Sequence, residues 1–288
     1  MTAAAQSINI ARILKGYSIE VHPGDAKALD AAQKRLNPGT EVFLPWIPGT
    51  NPMGLVAVAA NLRRAGLWPA PHIGARHLES SVQLEHLASR LADAGVDRIL
   101  VIGGDRAKPA GPFDSTLAVL QTGAFQNRGI TRIAIAGFPE GNPNINDLTL
   151  DEALRAKVSF ALATGLHLSI VTQFCFTAQP IVDWLQRIRA KGIDCPVRIG
   201  LAGPASVTTL LRYAVRCGIG NSLHVLTEHP SFAKLLTEHG PIPIIRDLAT
   251  YRGAGKNGSL PLGITGLHFF VFGGFRRTVD WIDGEGAN

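Results

Sequence analysis

Residues 98–105 read Arg-Ile-Leu-Val-Ile-Gly-Gly-Asp, a β-branched and aliphatic run that ends in two glycines and an acid. A short, almost wholly apolar run closed by a turn signal suits a strand of a parallel sheet, covered on both faces. Working outward, similar runs occur at Tyr17–His22, Glu41–Trp46, Pro69–Gly74, Arg98–Gly103, Arg132–Phe138, Leu168–Phe174, Val197–Leu201 and Gly266–Val271. The intervals between them carry helical spacing, as in Leu84, Leu87, Ala88 and Leu91, or Ile181, Trp184, Leu185 and Ile188. Strand then helix, eight times over, predicts an α/β chain folded as a closed (β/α)8 barrel, with residues 1–288 in one domain and its chemistry at the C-terminal strand ends. The longer connection Asn221–Gly263 holds a helical pattern at Ser231–Glu238 and reads as an extra helix and loop before the last strand.

Composition narrows the class of function. Hydrophobic residues make up 46% and charged residues 17%, enough to build a large core and too apolar for disorder. The longest apolar runs, Ile99–Ile102 and Leu267–Phe272, fall far short of the roughly 20 residues that cross a bilayer, so no membrane partner is expected. Residues 1–9 lack the basic start and apolar stretch of a secretory signal, which predicts a cytoplasmic protein. Cys175, Cys195 and Cys217 form no CxxC pair and suggest neither a disulfide framework nor a zinc site. The net charge of +6 favours an anionic ligand, but the basic residues are dispersed, without the stripe and stacking aromatics that nucleic acid requires. No HExxH, P-loop or GxGxxG motif is present, so a metal or ATP mechanism has no support.

Several polar residues fall where barrel chemistry is placed. Glu20 lies at the end of the first strand among apolar neighbours, where desolvation raises a carboxyl towards general-acid use; pairing with a basic group is the structural alternative. Asp105 follows Gly103 and Gly104, and two glycines let a flat ring or a phosphate approach the backbone, although an Asp there also serves as a turn or capping residue. Gln173 sets an amide beside Phe174 and Phe176, able to meet both donor and acceptor edges of a heterocycle. His72 and His268 sit in strand-like runs with no partner at metal-ligand spacing and fit core histidines.

Taken in order, these segments resemble the flavin-dependent methylenetetrahydrofolate reductases. Ser18-Ile19-Glu20-Val21 is similar to the family's S-F-E-F, Pro71-His72-Ile73 to P-H-L, and Gly103-Gly104-Asp105 to R-G-D. Phe138-Pro139-Glu140-Gly141-Asn142-Pro143 resembles Y-P-E-x-H-P, Thr172-Gln173-Phe174-Cys175-Phe176 resembles T-Q-F-F-F, and Gly266-Leu267-His268-Phe269-Phe270 resembles G-V-H-F-Y. The resemblance implies a barrel that holds FAD non-covalently and uses NAD(P)H and folate in turn on one flavin face. By it, Glu20 protonates N10 of 5,10-methylenetetrahydrofolate, and reduced flavin then delivers hydride to give 5-methyltetrahydrofolate. Asp105 lies near the flavin N1 and O2 edge, and Gln173 and Phe270 bind the pterin. His72, Gly103, Gly104, Phe113, Phe138, Asn142 and Lys157 contact FAD. A homo-oligomer accords with the family.

The chain also departs from that pattern. Pro45 stands where the family has a threonine at the end of strand two, Gly103 where it has an arginine, Asn142 where it has a histidine, and Gly274 where an arginine follows the last strand, with Arg276 and Arg277 close behind. Lys157 fits only with an insertion before Gln173. Two alternatives follow: a folate- or pterin-binding barrel without flavin, such as a methyl-transfer enzyme, and a non-catalytic ligand-binding barrel.

Overall fold

Strand pairing runs in sequence order and closes on itself. The computed structural model describes residues 13–46, 51–217, 240–250 and 261–286. Its parallel strands are β1 (Ser18–Glu20), β2 (Glu41–Leu44), β3 (Trp68–Gly74), β4 (Arg98–Ile102), β5 (Arg132–Gly137), β6 (His167–Thr172), β7 (Val197–Ala202) and β8 (Ile264–Phe270), with β8 returning to β1. Every run read as a strand is one, and the fold is a (β/α)8 barrel. The described helices are α1 (Ala26–Arg35), α2 (Pro52–Arg64), α3 (Ser81–Asp93), α4 (Thr116–Gln121), α5 (Asp147–Thr164), α6 (Gln179–Ala190), α7 (Val207–Cys217), α8 (Ile242–Thr250) and α9 (Phe275–Gly286). Helix α8 lies within the long connection before β8. The pattern at Ser231–Glu238 lies outside the described residues.

Local signals explain the helices. The Ser80 side chain accepts a hydrogen bond from Gln83 N and starts α3, whose Leu84, Leu87, Ala88 and Leu91 are all buried on one stripe. Pro180 sits in the first turn of α6, where its missing N–H costs nothing, and Ile181, Trp184, Leu185 and Ile188 form the buried stripe there. Among the described residues, no helix is long and apolar enough to cross a membrane.

Two compact units make up the chain. One comprises Glu20–Ala136 and Glu152–Ile170. In it, alternate residues of β2 to β5 divide between two faces. Val42, Leu44, Ile73, Ile99, Val101, Ile133 and Ile135 form an aliphatic face that is at most 1% exposed, as expected of strands beneath a layer of helices. The opposite face brings His72, Leu100 and Ala134 into one row and Phe43 and Ala70 into the next.

At the N-terminal end of that second face lies a charged plug. Glu41 is in register with Trp68. Arg98 lies over the Trp68 ring at 4.2 Å, donates from Nε and Nη2 to the two carboxylate oxygens of Asp97 at 2.9 and 3.0 Å, and donates from Nη1 to Glu41. Every face of the guanidinium is thereby used, which is the condition under which a buried ion pair is tolerated.

The other unit comprises Met1–Ile19, Gly137–Asp151 and Val171–Asn288. Here Ile199, Leu201, Leu267 and Phe269 supply the fully buried aliphatic and aromatic face of β7 and β8. Gly200 and His268 pair on the opposite face. A Cβ at Gly200 would strike the Thr172 carbonyl and come within 2.8 Å of the Phe270 ring, so glycine is what lets that ring lie against the strand. Ser18 Oγ lies 3.0 Å from His268 Nδ1, both side chains being buried.

Arg98→Met should cost about 3–5 kcal/mol, because it removes the buried guanidinium that the Glu41 and Asp97 carboxylates share. Adding Glu41→Gln should recover much of that loss. Urea denaturation checks both, and a loss below about 1 kcal/mol for Arg98→Met would place the pair among surface ion pairs of little worth.

Candidate active site

Glu20 ends β1. Ser18 and Glu20 share one face of the strand and Ile19 takes the other, and Ile19 and Val21 are wholly buried. Glu20 is half-buried and forms no hydrogen bond or ion pair among the described residues. Burial alone raises its carboxyl from 4.5 to about 7. An acid balanced near neutrality can give up or take up a proton at little cost.

In the same unit, His72 on β3 is 8% exposed, and its Nε2 is buried without any hydrogen-bond partner. Burial pushes the imidazole down to about 3, so the ring is neutral. Its edge meets Phe43, with centroids 6.0 Å apart at 72°. An orphaned buried ring nitrogen calls for an explanation, and a ligand atom is one.

Asp105 lies just past β4 with its side chain 66% exposed, and its Oδ1 is 2.8 Å from His77 Nε2. The backbone before it is open at Gly103, where a Cβ would meet nothing within 4 Å, whereas Gly104, at a φ of +93° that favours glycine, lies against the His77 ring. Phe113, on the loop after β4, is buried. Lys157 on α5 has no hydrogen bond or ion pair among the described residues. Burial brings its ammonium down to about 8.

The other unit carries the rest of the expected set. Phe138 is half-buried just beyond β5. Asn142 Oδ1 accepts from Asn144 N at 2.9 Å, so this side chain shapes its own turn. The Gln173 backbone N–H donates to Gly137 O at 2.8 Å, and its side-chain oxygen accepts from Phe174 N at 3.2 Å, leaving the amide NH2 unengaged among the described residues. Phe270 meets Phe174 edge-on at 5.6 Å and His268 at 4.7 Å. Arg276 and Arg277 are exposed on α9.

Three neighbours of these residues escape a sequence reading. In the first unit His77 contacts Asp105, and Trp46 packs against His77, their rings 6.0 Å apart. In the second, Phe272 stacks on Tyr213 at 4.1 Å while holding a φ of 46°, strained for a residue with a Cβ. Glycines at 74 and 104 were the available signal for the slot that His77 fills, and nothing in the pattern foretold the Phe272 backbone.

These groups have the chemistry to meet a ligand with a polar ring and an anionic part. Among the described residues, an unpartnered, half-buried lysine suits an anionic group, the orphaned His72 nitrogen suits a polar ring edge, and the backbone at Gly103 is open to a flat group. Among the described residues, no cluster of three or more His, Cys, Asp or Glu side chains is arranged to hold a metal ion.

Comparison with known proteins places the chain. The methylenetetrahydrofolate reductase family model matches residues 48–224, well over half of the sequence. The 5,10-methylenetetrahydrofolate reductase of Pectobacterium carotovorum subsp. carotovorum is 25% identical over 156 residues, covering 54% of this chain and 50% of that protein. The chain thus spans about half the length of that curated relative. Among solved structures, 7,8-dihydropteroate synthase from Vibrio fischeri ES114 overlays with a TM-score of 0.46 at 14% identity, covering 95% of this chain and 93% of that one. A likeness at that level bears on neither the site nor the reaction. On its matched residues, the chain belongs to the methylenetetrahydrofolate reductase family.

Proposed function

We propose that this protein is an FAD-dependent oxidoreductase that interconverts 5,10-methylenetetrahydrofolate and 5-methyltetrahydrofolate with NAD(P)H, with residues 1–288 serving as one catalytic domain. The observation that carries the reading is the desolvated carboxyl of Glu20, raised to about 7 at the end of β1. A general acid for N10 of the folate must hold its proton at neutral pH and release it without a large penalty, and this carboxyl meets both demands.

His72 would offer its lone ring nitrogen to FAD, and Lys157 would meet a phosphate. Gly103 would let the cofactor lie against the backbone, and Gly104, Phe113, Phe138 and Asn142 are the further contacts that the family pattern suggests. Bound FAD would carry two electrons from NAD(P)H to the folate in alternating half-reactions. Asp105 presents a negative charge at the same strand end, where it stabilises a developing cation on the folate. The free amide NH2 of Gln173 suits a pterin carbonyl or ring nitrogen, and Phe270 gives the pterin an aromatic wall.

Purified protein supplied with FAD should show an oxidised-flavin spectrum, bleach on adding NADH or NADPH, and recover on adding methylenetetrahydrofolate. A protein that stays colourless in excess FAD sinks the reading and favours the flavin-free barrel. Bleaching without recovery removes folate as the acceptor.

Glu20→Gln should keep the bleaching step and lose about a hundredfold or more of the recovery step, as removal of a general acid does. In the wild type, recovery should slow as the pH rises through about 7, since the protonated carboxyl is the active form. Equal loss in both half-reactions would take the acid role from Glu20.

The same carboxyl sets a pH term in stability. The folded state binds its proton more tightly than the unfolded one, so the penalty is absent below 4.5, grows as the pH rises from 4.5 to about 7, and is complete above. At the full shift it amounts to about 3 kcal/mol. Glu20→Gln should therefore be the more stable protein at pH 8 and no more stable at pH 4 in urea titrations; an advantage of the same size at both values contradicts the desolvated carboxyl.

A further inference from the structure

We propose that His77 is a positioning residue for Asp105: its Nε2–H holds Oδ1 and fixes the direction in which the carboxylate presents Oδ2 at the end of β4. This rests on the reading above, in which Asp105 faces the reacting groups.

The contact is built, not incidental. His77 Nε2 lies 2.8 Å from Asp105 Oδ1, with side-chain exposures of 9% for the histidine and 66% for the aspartate. A pair of exposed, mobile charges contributes little, because both side chains lose freedom to form it. Here the imidazole is already held, and only Asp105 is ordered by the bond. The slot that holds it is made by glycines from two strand ends. A Cβ at Gly74 would stand 2.7 Å from His77 Cδ2, and one at Gly104 would stand 2.9 Å from Cδ2 and 3.2 Å from Nε2. Trp46 closes a third side, its ring 6.0 Å away and tilted by 36°.

The backbone on both sides of the contact is tied down as well. His77 ends the short turn Ala75–His77, and its neighbour Arg76 binds that turn to the loop that carries Asp105. Arg76 N donates to Gly103 O at 2.9 Å, Arg76 O accepts from Ala110 N at 2.9 Å, and the guanidinium donates to Ala107 O at 2.8 Å and Asp114 O at 3.4 Å. The histidine contact is the one among these that reaches a side chain able to act.

Its chemistry follows from the donor inventory. An ionised carboxylate only accepts, so Nε2 must carry the proton. Nδ1 has no hydrogen bond among the described residues, which leaves Asp105 alone to set the tautomer. With glycine at position 103, the residue two before Asp105 offers no cation, and the basic partner comes from the end of β3 instead.

Ring nitrogen-15 shifts of His77, measured without substrate, test the arrangement directly. The wild type should show a protonated Nε2, and Asp105→Ala, a change at an exposed side chain, should shift that signal; an unmoved ring overturns the proposal. In turnover with NAD(P)H and methylenetetrahydrofolate, His77→Gln, whose amide N–H reaches the place of Nε2, should stay near wild type. His77→Ala should lose about tenfold in kcat with KM for folate little changed, as misaligned groups do. Adding His77→Ala to Asp105→Ala should cost nothing further. Equal rates for the Gln and Ala variants, or additive losses in the double variant, would also overturn it. If the ring responds to Asp105→Ala while no folate turnover exists in the wild type, the positioning stands and the proposed reaction falls.

Discussion

Closing eight parallel strands on themselves pairs every strand with two neighbours and leaves each side chain only two places to go. That constraint sorts the molecule. On β2 to β5, and on β7 and β8, one face is aliphatic and sealed from solvent, which is what a layer of helices demands. The remaining face must then take everything the helices refuse: the ion pairs of Arg98, the Ser18–His268 pair and His72. Each such group has to be satisfied where it stands, since water is largely excluded. Arg98 is satisfied threefold at the N-terminal ends of its strands. Glu20 and His72, in the same unit, have no partner among the described residues. Polar pairing is thus complete around Arg98 and incomplete at Glu20 and His72.

Unpaired groups of this kind lower stability, and their persistence is informative for that reason. A carboxyl raised to about 7 and an imidazole lowered to about 3 are both displaced by burial, in the opposite directions that desolvation dictates for an acid and a base. A fold shaped by stability alone gains from replacing either with an aliphatic residue. Lys157 adds a cation without a counter-charge among the described residues. Desolvation acts on all three groups in the direction that disfavours charge, moving Glu20 up and His72 and Lys157 down.

How much of this was legible beforehand differs by level. The strands were readable because each is a short run sealed on both faces, so hydrophobic residues are contiguous and flanked by turn formers; α3 and α6 were readable because their buried stripes repeat at helical spacing. Glu20 and Asp105 were readable as positions, since an acid at a strand end stands out against its neighbours. The partner of Asp105 was not. His77 comes from another strand end, and sequence carries no record of which side chains two loops bring within 2.8 Å. Its traces were Gly74 and Gly104, which a reader takes for simple strand terminators but which also clear space for an imidazole. Phe272 was illegible for a different reason, since its left-handed backbone is imposed by tertiary contacts and contradicts its local preference.

The departures from the family pattern obey the same division. Pro45 follows β2, Gly103 follows β4, Asn142 lies beyond β5 and Gly274 beyond β8; none lies within a strand. Inside a strand, a change of side chain must be absorbed by the packed face it points into, whereas a strand end answers mainly to whatever lies in front of it. Asn142 shows how such a change is absorbed: its oxygen caps its own turn at Asn144, so the side chain acts on the loop. Gly103 shows another outcome, in which glycine leaves the backbone open while His77, from the turn after β3, makes the contact to Asp105. A site assembled from several strand ends can exchange its parts in this way, because what the carboxylate requires is a donor within reach, and several elements are placed to supply one.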